Sequence, residues 1–352
     1  MGQSRIDLPN FQTVYGRNLL GEVDGFVLDP ILIVTMKDLW PLFCGQLPDD
    51  ADVYFVDTME RATLESRLAD FSNSKSVVGL GGGQAIDAAK YFAWRLNLPL
   101  WQFPTSLSVD AVFGHRAGVR EQSVVKYVGW AIPKAVYIDF DIIEAAPRAL
   151  NIGGVGDIFC FITGVMDWRY AHAQGKCEAR WPYDDGLARI SLSKAEAALQ
   201  NLPAIRDLTA EGVQIMVDAL QWGGASYHGA GWNPRHIEGV EHYIFYALEA
   251  HTGKKFLHGQ AVCLGLIIGA MMHGQRVEEL LDAVVFLGVD IRPGAMDVTW
   301  ADVFAAMHGL RDFVEREGLA YGIAHDFEMT NDFLREAQAT IETALGAGHE
   351  PD

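Results

Sequence analysis

Two hydrophobic patterns divide the chain into an N-terminal and a C-terminal part. In residues 1–150, short runs of consecutive apolar residues alternate with segments whose apolar residues recur every three to four positions. Continuous apolar runs are typical of strands buried on both faces of a parallel sheet, and the second pattern is typical of amphipathic helices. The predicted strands are residues 31–36, 53–56, 76–80, 99–103 and 135–139, and the clearest helices are residues 59–71 and 84–96.

Past residue 149 the strand pattern fades and helical periodicity continues. Three glycines within residues 151–157 mark the predicted boundary. We therefore expect an α/β domain with a parallel sheet in residues 1–150 and an all-α domain in residues 151–352. The predicted helices of the second domain are residues 158–174, 187–199, 213–221, 238–251, 260–272, 277–287 and 301–317.

The composition of the chain argues against several classes of partner. Its formal net charge is -19, whereas proteins that bind nucleic acids or anionic membranes carry basic patches that attract phosphates. The longest apolar run, residues 261–272, is too short to span a bilayer, and the N-terminal MGQSRIDLPN lacks the apolar core of a signal peptide. Four scattered cysteines without a CxxC pair fit a reducing compartment. We expect a cytoplasmic protein with a small-molecule partner and neither a nucleic-acid nor a membrane partner.

A glycine triplet follows the predicted strand at residues 76–80. Gly81, Gly82 and Gly83 form the turn, and a helix begins near Gln84. Glycines let the backbone come close to a phosphate, and a helix N-terminus supplies free N–H groups. The segment therefore predicts a pyrophosphate cradle, although its spacing differs from G-x-G-x-x-G. A tight turn that binds no ligand is the alternative interpretation.

A second polar loop, residues 104–110, follows the next predicted strand. It carries hydroxyl groups at Thr105, Ser106 and Ser108 and a carboxylate at Asp110. Loops at the carboxyl ends of parallel strands line the ligand crevice, so we expect this loop and the glycine turn to open at the same edge of the sheet. A helix cap or a simple turn also accounts for these residue types.

Three side chains of the C-terminal part form a candidate metal site. Asp157 stands at the start of a predicted helix, and the spacing of His242 and His258 suits two successive helices that meet. One carboxylate and two imidazoles are a ligand set suited to Zn²⁺ or Fe²⁺. Alternatively, Asp157 and His258 cap their helices and His242 is a core histidine. Other histidines that can act as ligands instead are His228, His236, His251 and His273.

An ordered series of motifs extends these local signals over roughly residues 25–275. The motifs are GGGQAIDAAK (81–90), PTSLSVD (104–110), IPKAVYIDFDIIEAAP (132–147), GVGD (154–157), EH (241–242) and HGQAVCLG (258–265). In this order and spacing they resemble the superfamily of iron-type alcohol and polyol dehydrogenases, sn-glycerol-1-phosphate dehydrogenases and 3-dehydroquinate synthases. Each motif is weak alone, whereas the ordered set is specific.

The resemblance implies a nucleotide-binding domain followed by a helical metal-binding domain, with the active site in the cleft between them. It implies that Asp157, His242 and His258 bind the metal and that, together with Asp110, they form the catalytic site. It also implies that the glycine segment and the hydroxyl loop hold the cofactor. The predicted cofactor-binding residues of these two segments are Gly81, Gly82, Gly83, Gln84, Ala85, Asp87, Thr105, Ser106 and Ser108.

The sequence leaves the choice of cofactor open. The first predicted strand ends beside Lys37, which can bind the 2′-phosphate of NADP, and Asp38 follows, which can bind the ribose hydroxyls of NAD. Lys37 can equally be a solvated surface lysine. We therefore predict NAD or NADP, with Lys37 as a further cofactor-binding residue, together with one divalent metal.

Within the superfamily the motifs are closest to the glycerol-1-phosphate dehydrogenases, with three departures. Gly114 stands where a cofactor-contacting Ser is usual, Tyr246 where a substrate-contacting His is usual, and Gln260 where a Glu is usual. These changes leave the predicted metal ligands intact. They leave the substrate, and whether it carries a phosphate, open.

The sequence therefore predicts a metal-dependent NAD(P)(H) oxidoreductase that acts on a small polyol, a hydroxy-ketone or aldehyde, or its phosphate. The metal polarises the substrate oxygen for hydride transfer. Members of the superfamily often form homo-oligomers, and we expect one here.

Two alternatives remain. Residues 109–120 are similar to dehydroquinate synthases and suggest a cyclase or lyase that uses NAD transiently; the other alternative is a member that binds nucleotide or metal without turnover. The cyclase needs a basic pocket, for which the candidates are His115, Arg116, Arg120, Lys126, Lys254 and Lys255.

Overall fold

The computed structural model describes residues 11–121 and 124–347. The N-terminal MGQSRIDLPN, used above in the prediction about a signal peptide, lies outside these residues. The chain divides into two compact units, and the break falls between Asn151 and Ile152, one residue beyond the expected boundary. The binding role of each unit stays a prediction.

The N-terminal unit is built on a parallel sheet. Its strands are β1 (Gln12–Gly16), β2 (Ile31–Thr35), β3 (Asp52–Phe55), β4 (Ser76–Gly81), β5 (Leu100–Pro104), β6 (Ala117–Glu121), β7 (Val124–Val128) and β8 (Ala135–Asp139). In the described residues, β6 and β7 pair with each other antiparallel, and the others form one parallel sheet in the order β1-β8-β5-β4-β2-β3. The parallel sheet confirms the predicted class of this unit.

Continuous apolar runs predicted the central strands because both faces of the sheet are covered. In β2, Leu32 and Val34 pack into the core on one face, and Ile31 and Ile33 pack into the core on the other. Strands β1, β6 and β7 were not predicted, for a related reason. β1 lies at an edge of the sheet, and the described side chains of β7 are mostly exposed, so these strands lack a long apolar run.

Helices lie between the strands of this unit and after the last of them. They are α1 (Trp40–Phe43), α2 (Arg61–Ser66), α3 (Gly83–Leu96), α4 (Phe140–Ala145) and α5 (Arg148–Gly153). The predicted helix at residues 59–71 is wrong in its second half, because α2 ends at Ser66 and a 3-10 turn, Leu68–Phe71, follows. The helix predicted at residues 84–96 is α3, which begins one residue earlier.

The strand order reverses between β2 and β4. From β3 the chain crosses back over β2 to β4 and then continues through β5 to β8. Open parallel sheets bind ligands outside the carboxyl ends of strands at such a reversal. Gly81, at the end of β4, lies next to Met36 and Leu39, which follow β2. The glycine turn therefore lies at the reversal, as does Lys37.

The C-terminal unit is helical, as predicted. Its helices are α6 (Gly156–Ala173), α7 (Asp185–Leu199), α8 (Leu202–Arg206), α9 (Ala210–Gly229), α10 (Val240–Thr252), α11 (His258–His273), α12 (Val277–Leu287), α13 (Trp300–His308), α14 (Leu310–Arg316) and α15 (Asn331–Ala347). The single helix predicted at residues 301–317 is wrong, because Gly309 separates α13 from α14. Helix α15 was not predicted, although its buried Leu334, Ile341 and Leu345 keep helical spacing.

Helices α6, α10 and α11 form the centre of this unit. Within the described residues, one helical stretch, Arg148–Ala173, is long and apolar enough to cross a membrane, but 89% of its apolar window is buried inside the protein. α11 is likewise buried over most of its length. Their burial inside the protein identifies both as core helices.

Glycines allow these three helices to approach closely. A Cβ built on Gly156 of α6 stands 2.6 Å from the carbonyl oxygen of Gly259 in α11. A Cβ on Gly265 of α11 stands 2.2 Å from the carbonyl oxygen of Glu241 in α10. Real Cβ atoms do not come this close to backbone, so a larger residue at either glycine forces the helices apart.

We predict that Gly265→Ala lowers the free energy of unfolding by about 1–3 kcal/mol, because backbone atoms of α10 have to move. Chemical denaturation measures the change. Gly346→Ala is the matched control, since a Cβ on this exposed glycine meets no atom within 4 Å. Equal stability of the Gly265 and Gly346 variants would contradict the close packing of α10 on α11.

Candidate metal centre

The ends of three helices bring Asp157, His242 and His258 together. Asp157 lies in the first turn of α6, His242 in the first turn of α10, and His258 is the first residue of α11. Because α6 and α10 each pack on α11 through glycine contacts, their N-terminal turns converge. The convergence that the spacing of His242 and His258 suggested is therefore present.

The three side chains offer ligand atoms at metal-binding spacing. His258 Nε2 lies 2.9 Å and His242 Nε2 3.7 Å from Asp157 Oδ1. One ligand atom from each residue lies within 4.8 Å of the other two. Asp157 and His242 are buried and His258 is partly exposed, so the group combines a sheltered interior with an accessible side.

Glu241 fixes the orientation of His242. Its Oε1 accepts hydrogen bonds from His242 Nδ1 at 2.8 Å and from the Gly239 amide at 2.7 Å. Its Oε2 accepts from the Thr163 hydroxyl at 2.6 Å. A carboxylate can only accept, so Nδ1 of His242 carries a hydrogen, and Nε2, which faces Asp157, is the ring nitrogen that can bind a metal in exchange for its own proton. Carboxylates placed in this way are typical supports of metal-binding histidines.

The electrostatics of the cluster also fit a bound cation. Burial acts to raise the pKa of Asp157, but the charges and hydrogen bonds of His258 and His242 outweigh it and lower that pKa well below its usual value. For His242, burial acts to lower the pKa, yet the neighbouring carboxylates of Asp157 and Glu241 raise it well above the usual value. The buried carboxylates thus attract positive charge, which a divalent cation supplies.

The capping alternatives for Asp157 and His258 do not account for their contacts. Val155 is the N-cap of α6, so Asp157 lies inside the helix rather than capping it. Leu257 precedes α11 as its N-cap, and His258 directs Nε2 at Asp157. The oxygen and two nitrogen donors are a set suited to Zn²⁺ or Fe²⁺.

The other candidate histidines have separate partners. His236 bonds to the Ser226 hydroxyl at 2.8 Å, and His273 bonds to the buried Asp167 at 2.9 Å. Burial lowers the pKa of His236 to about 3, so it is a neutral core residue. His228 stacks edge-on against Trp232, and His251 lies on the exposed end of α10. These contacts place all four outside the cluster.

A second group, Cys160, Glu241 and His242, also has ligand-type spacing. The two oxygens of Glu241 already accept hydrogen bonds, and the Cys160 thiol donates to the Ile237 carbonyl at 3.0 Å. The Asp157 group is therefore the stronger metal candidate.

Two of the three departures from the family pattern lie in this unit. The Tyr246 hydroxyl donates to Glu238 Oε1 at 3.2 Å, and the rings of Tyr246 and His242 are 5.9 Å apart. The Gln260 amide donates to the Asp290 carbonyl at 2.6 Å, which turns it toward α12 and the segment after it. Glu238 and Glu241 were not predicted as residues of the site, although the EH motif contains Glu241.

The glycine turn after β4 has the properties of a phosphate cradle. Gly81 has a φ of 153°, and a Cβ there stands 2.7 Å from Ala85, so a side chain is strained at this position. A Cβ on Gly82 meets no atom within 4 Å, and Gln84 is exposed. Backbone N–H groups at the start of α3 are therefore accessible to an anion.

The hydroxyl loop after β5 lies beside the glycine turn. The Thr105 amide donates to the Gly81 carbonyl at 3.0 Å, and Ser106 Oγ lies 3.2 Å from Ser108 Oγ. Asp110 follows at the start of a 3-10 turn, Asp110–Phe113. The two loops therefore open at the same edge of the sheet, as the sequence predicted.

Two further predicted cofactor-binding residues, Asp87 and Lys37, lie outside the hydroxyl loop. The Asp87 carboxylate pairs with Lys90 at 2.5 Å, and the buried Lys90 also donates to the carbonyls of Ala111, Gly114 and Arg116. Asp87 thus holds a lysine that fastens the segment after Asp110, and its predicted contact with the cofactor stays untested. Lys37 is exposed in the turn after β2.

Comparison with known proteins identifies the class. A family model described as iron-containing alcohol dehydrogenase matches residues 50–147. The structure of a probable glycerol dehydrogenase from Sinorhizobium meliloti 1021 has a TM-score of 0.68 at 17% identity, covering 96% of this chain and 97% of that one. The structure of 2-epi-5-epi-valiolone synthase from Streptomyces hygroscopicus subsp. jinggangensis 5008, with NAD⁺ and Zn²⁺ bound, has a TM-score of 0.61 at 17% identity, covering 96% and 98%. The two structural similarities confirm the two-domain fold, and the family model shows that residues 50–147 resemble the iron-containing alcohol dehydrogenases.

A curated relative narrows the class to a family. Glycerol-1-phosphate dehydrogenase [NAD(P)+] of Pyrococcus abyssi is 30% identical over 291 residues, which cover 78% of this chain and 82% of the relative. The chain belongs to the glycerol-1-phosphate dehydrogenase family and is an oxidoreductase. The predicted resemblance and the predicted enzyme class are confirmed.

We predict that Glu241→Gln weakens Zn²⁺ binding by about 10–100-fold, because the amide cannot accept all three hydrogen bonds that hold His242. Competition with a chromophoric chelator measures the affinity. Glu249→Gln is the matched control on α10, since Glu249 pairs with the exposed Lys255. An affinity within twofold of the unmodified protein would show that Glu241 does not support the site.

Proposed function

We propose that this protein is a metal-dependent NAD(P)(H) oxidoreductase whose metal is held by Asp157, His242 and His258. It interconverts a small polyol, or its phosphate, and the corresponding hydroxy-ketone or aldehyde. The observation that carries the proposal is the convergence of these three ligand-type side chains from three helices, with Glu241 behind His242. Membership of the glycerol-1-phosphate dehydrogenase family supplies the reaction class.

The helical unit provides the metal ligands in this proposal. When bound, the divalent metal polarises the substrate oxygen, and the nicotinamide gives or takes the hydride. Asp157 supplies the negative charge that retains the cation, and Glu241 keeps His242 in the tautomer that can bind it. The accessible side of the group is at His258, which is partly exposed.

The N-terminal unit supplies the cofactor cradle in this proposal. Two observations support the predicted contacts with a pyrophosphate: the φ of Gly81, which favours glycine, and the open space at Gly82. The residues predicted to make these contacts are Gly81, Gly82, Gly83, Gln84 and Ala85. Thr105, Ser106 and Ser108 lie beside that turn and can bond to the rest of the nucleotide. Lys37, exposed at the strand reversal, can bind the 2′-phosphate of NADP, and NAD and NADP both remain candidates.

Asp110 is proposed as the residue that orients a substrate hydroxyl or carries its proton toward solvent. Its partly buried position at the start of a 3-10 turn supports the role. Lys90 supports it indirectly, because it fastens the segment that follows Asp110 to α3.

The cyclase alternative is not favoured. It needs several cations to bind a carboxylate and a phosphate, and two of its candidates have other partners. Lys254 donates to the Asp297 carbonyl, and Lys255 pairs with Glu249. His115 is buried against Trp130, with ring centroids 4.8 Å apart.

We propose that the enzyme works in the cytoplasm as a homo-oligomer. Its four cysteines are free thiols, which fits a reducing compartment. Apolar side chains on and after β7 are exposed, as a contact with a second copy requires. They are Val125, Tyr127, Trp130 and Ile132.

The test follows oxidation of NADH and NADPH by the metal-loaded protein with a panel of hydroxy-ketones, hydroxy-aldehydes and their phosphates. We expect turnover that a chelator stops and that Asp157→Asn and His258→Ala both abolish, with loss of bound metal. His251→Ala is the control, because this imidazole lies at the exposed end of α10. Turnover that survives both substitutions would refute the assigned metal site.

A further inference from the structure

A fourth acidic side chain lies close to the proposed metal centre. Glu238 precedes α10, four residues before His242, and accepts a hydrogen bond from the Tyr246 hydroxyl at 3.2 Å. The ring of Tyr246 lies 5.9 Å from that of His242, so this hydrogen bond connects Glu238 to the surroundings of a proposed metal ligand. Burial raises the pKa of Glu238, against the opposing charge of His242. The Glu238 carboxylate is nevertheless outside the group of atoms spaced for metal binding.

The fold holds Glu238 in this position. Its amide donates to the Pro234 carbonyl at 2.9 Å, and a Cβ built on Gly164 of α6 stands 2.9 Å from the same nitrogen. The backbone of residues 238–239 therefore lies directly against α6, and there is no room for a side chain at Gly164. Tyr246, one helical turn beyond His242, fixes the side chain from the other end.

The Lys and Arg side chains of the helical unit contact groups other than Glu238. Within residues 152–347, each Lys and Arg makes a hydrogen bond, ion pair or ring contact with a group other than Glu238. Arg235, the nearest in sequence, is buried and donates to the carbonyls of Asp167 and Tyr321. Lys254 and Lys255 bond to Asp297 and Glu249.

These contacts bear on the charge of the substrate. A phosphate monoester is recognised by Arg, Lys or clustered backbone N–H groups, whereas a carboxylate repels it. A carboxylate instead accepts a hydrogen bond from a neutral hydroxyl. Tyr246, whose ring lies 5.9 Å from that of His242, directs its hydroxyl at Glu238.

We propose that Glu238, held by Tyr246, binds a hydroxyl group of the substrate and makes the enzyme select an unphosphorylated polyol or hydroxy-ketone over its phosphate ester. The inference rests on the proposed function, since it concerns the substrate of that same metal site. It differs from the reaction named for the curated relatives, which is that of a glycerol phosphate.

The test compares kcat/KM for dihydroxyacetone and for dihydroxyacetone phosphate with the Zn²⁺-loaded enzyme and the preferred reduced nicotinamide. We expect the unphosphorylated ketone to be preferred by about tenfold or more, because a site built around a hydroxyl rejects a charged replacement. Glu238→Gln should reduce the preference by about tenfold, mainly through a lower KM for the phosphate. Glu249→Gln, on α10, should leave the ratio unchanged.

A binding measurement provides a readout apart from turnover. Glycerol should raise the melting temperature of the Zn²⁺-loaded protein, and inorganic phosphate should not, whereas phosphate should do so for Glu238→Gln. If that variant does not fold, Tyr246→Phe is the second variant, because it keeps the Glu238 carboxylate but removes the hydrogen bond that holds it. It should raise KM for dihydroxyacetone without improving use of the phosphate ester.

The outcomes separate this inference from the proposed function. A wild-type preference for the phosphate ester, with metal-dependent turnover intact, overturns the role of Glu238 and leaves the oxidoreductase standing. Absence of metal-dependent turnover with both ketones and the wider substrate panel refutes the oxidoreductase and this inference together. Phosphate stabilisation of the unmodified protein at its metal site also overturns the selection of an uncharged substrate.

Discussion

The close packing of α6, α10 and α11 is the constraint on which the helical unit depends. Glycines at the contacts between these helices bring backbone against backbone, as at Gly156 with Gly259 and Gly265 with Glu241. Such contacts fix the helices along their axes as well as laterally, because backbone atoms make the contact and no flexible side chain lies between them. Their N-terminal turns consequently meet at one point, and a carboxylate and two imidazoles can share it.

The same packing explains how a buried charged cluster can be stable. Asp157, Glu241 and His242 are removed from water, which is costly for charged groups without partners. Each has partners from another helix or from the preceding turn: Thr163 on α6 bonds to Glu241, and His258 on α11 bonds to Asp157. A divalent cation adds to an arrangement that is already oriented by hydrogen bonds, so the side chains need little rearrangement to bind it.

The sequence predicted the parts of the fold that follow from local periodicity. Fully buried strands such as β2 and the apolar helix α11 produce continuous runs, whereas the partly exposed β6 and β7 do not. The three proposed ligands were recognised by residue type and by ordered motifs. Glu238 was missed because its importance comes from a hydrogen bond to Tyr246 and from packing against Gly164, and neither contact is visible as a motif.

The most direct test of the central claim is anomalous diffraction at the zinc edge from crystals of the Zn²⁺-loaded protein. The account predicts one strong peak in each chain, bonded to Asp157, His242 and His258, with His242 Nδ1 still donating to Glu241. A peak at Cys160 and Glu241, or at any site apart from those three residues, would contradict it.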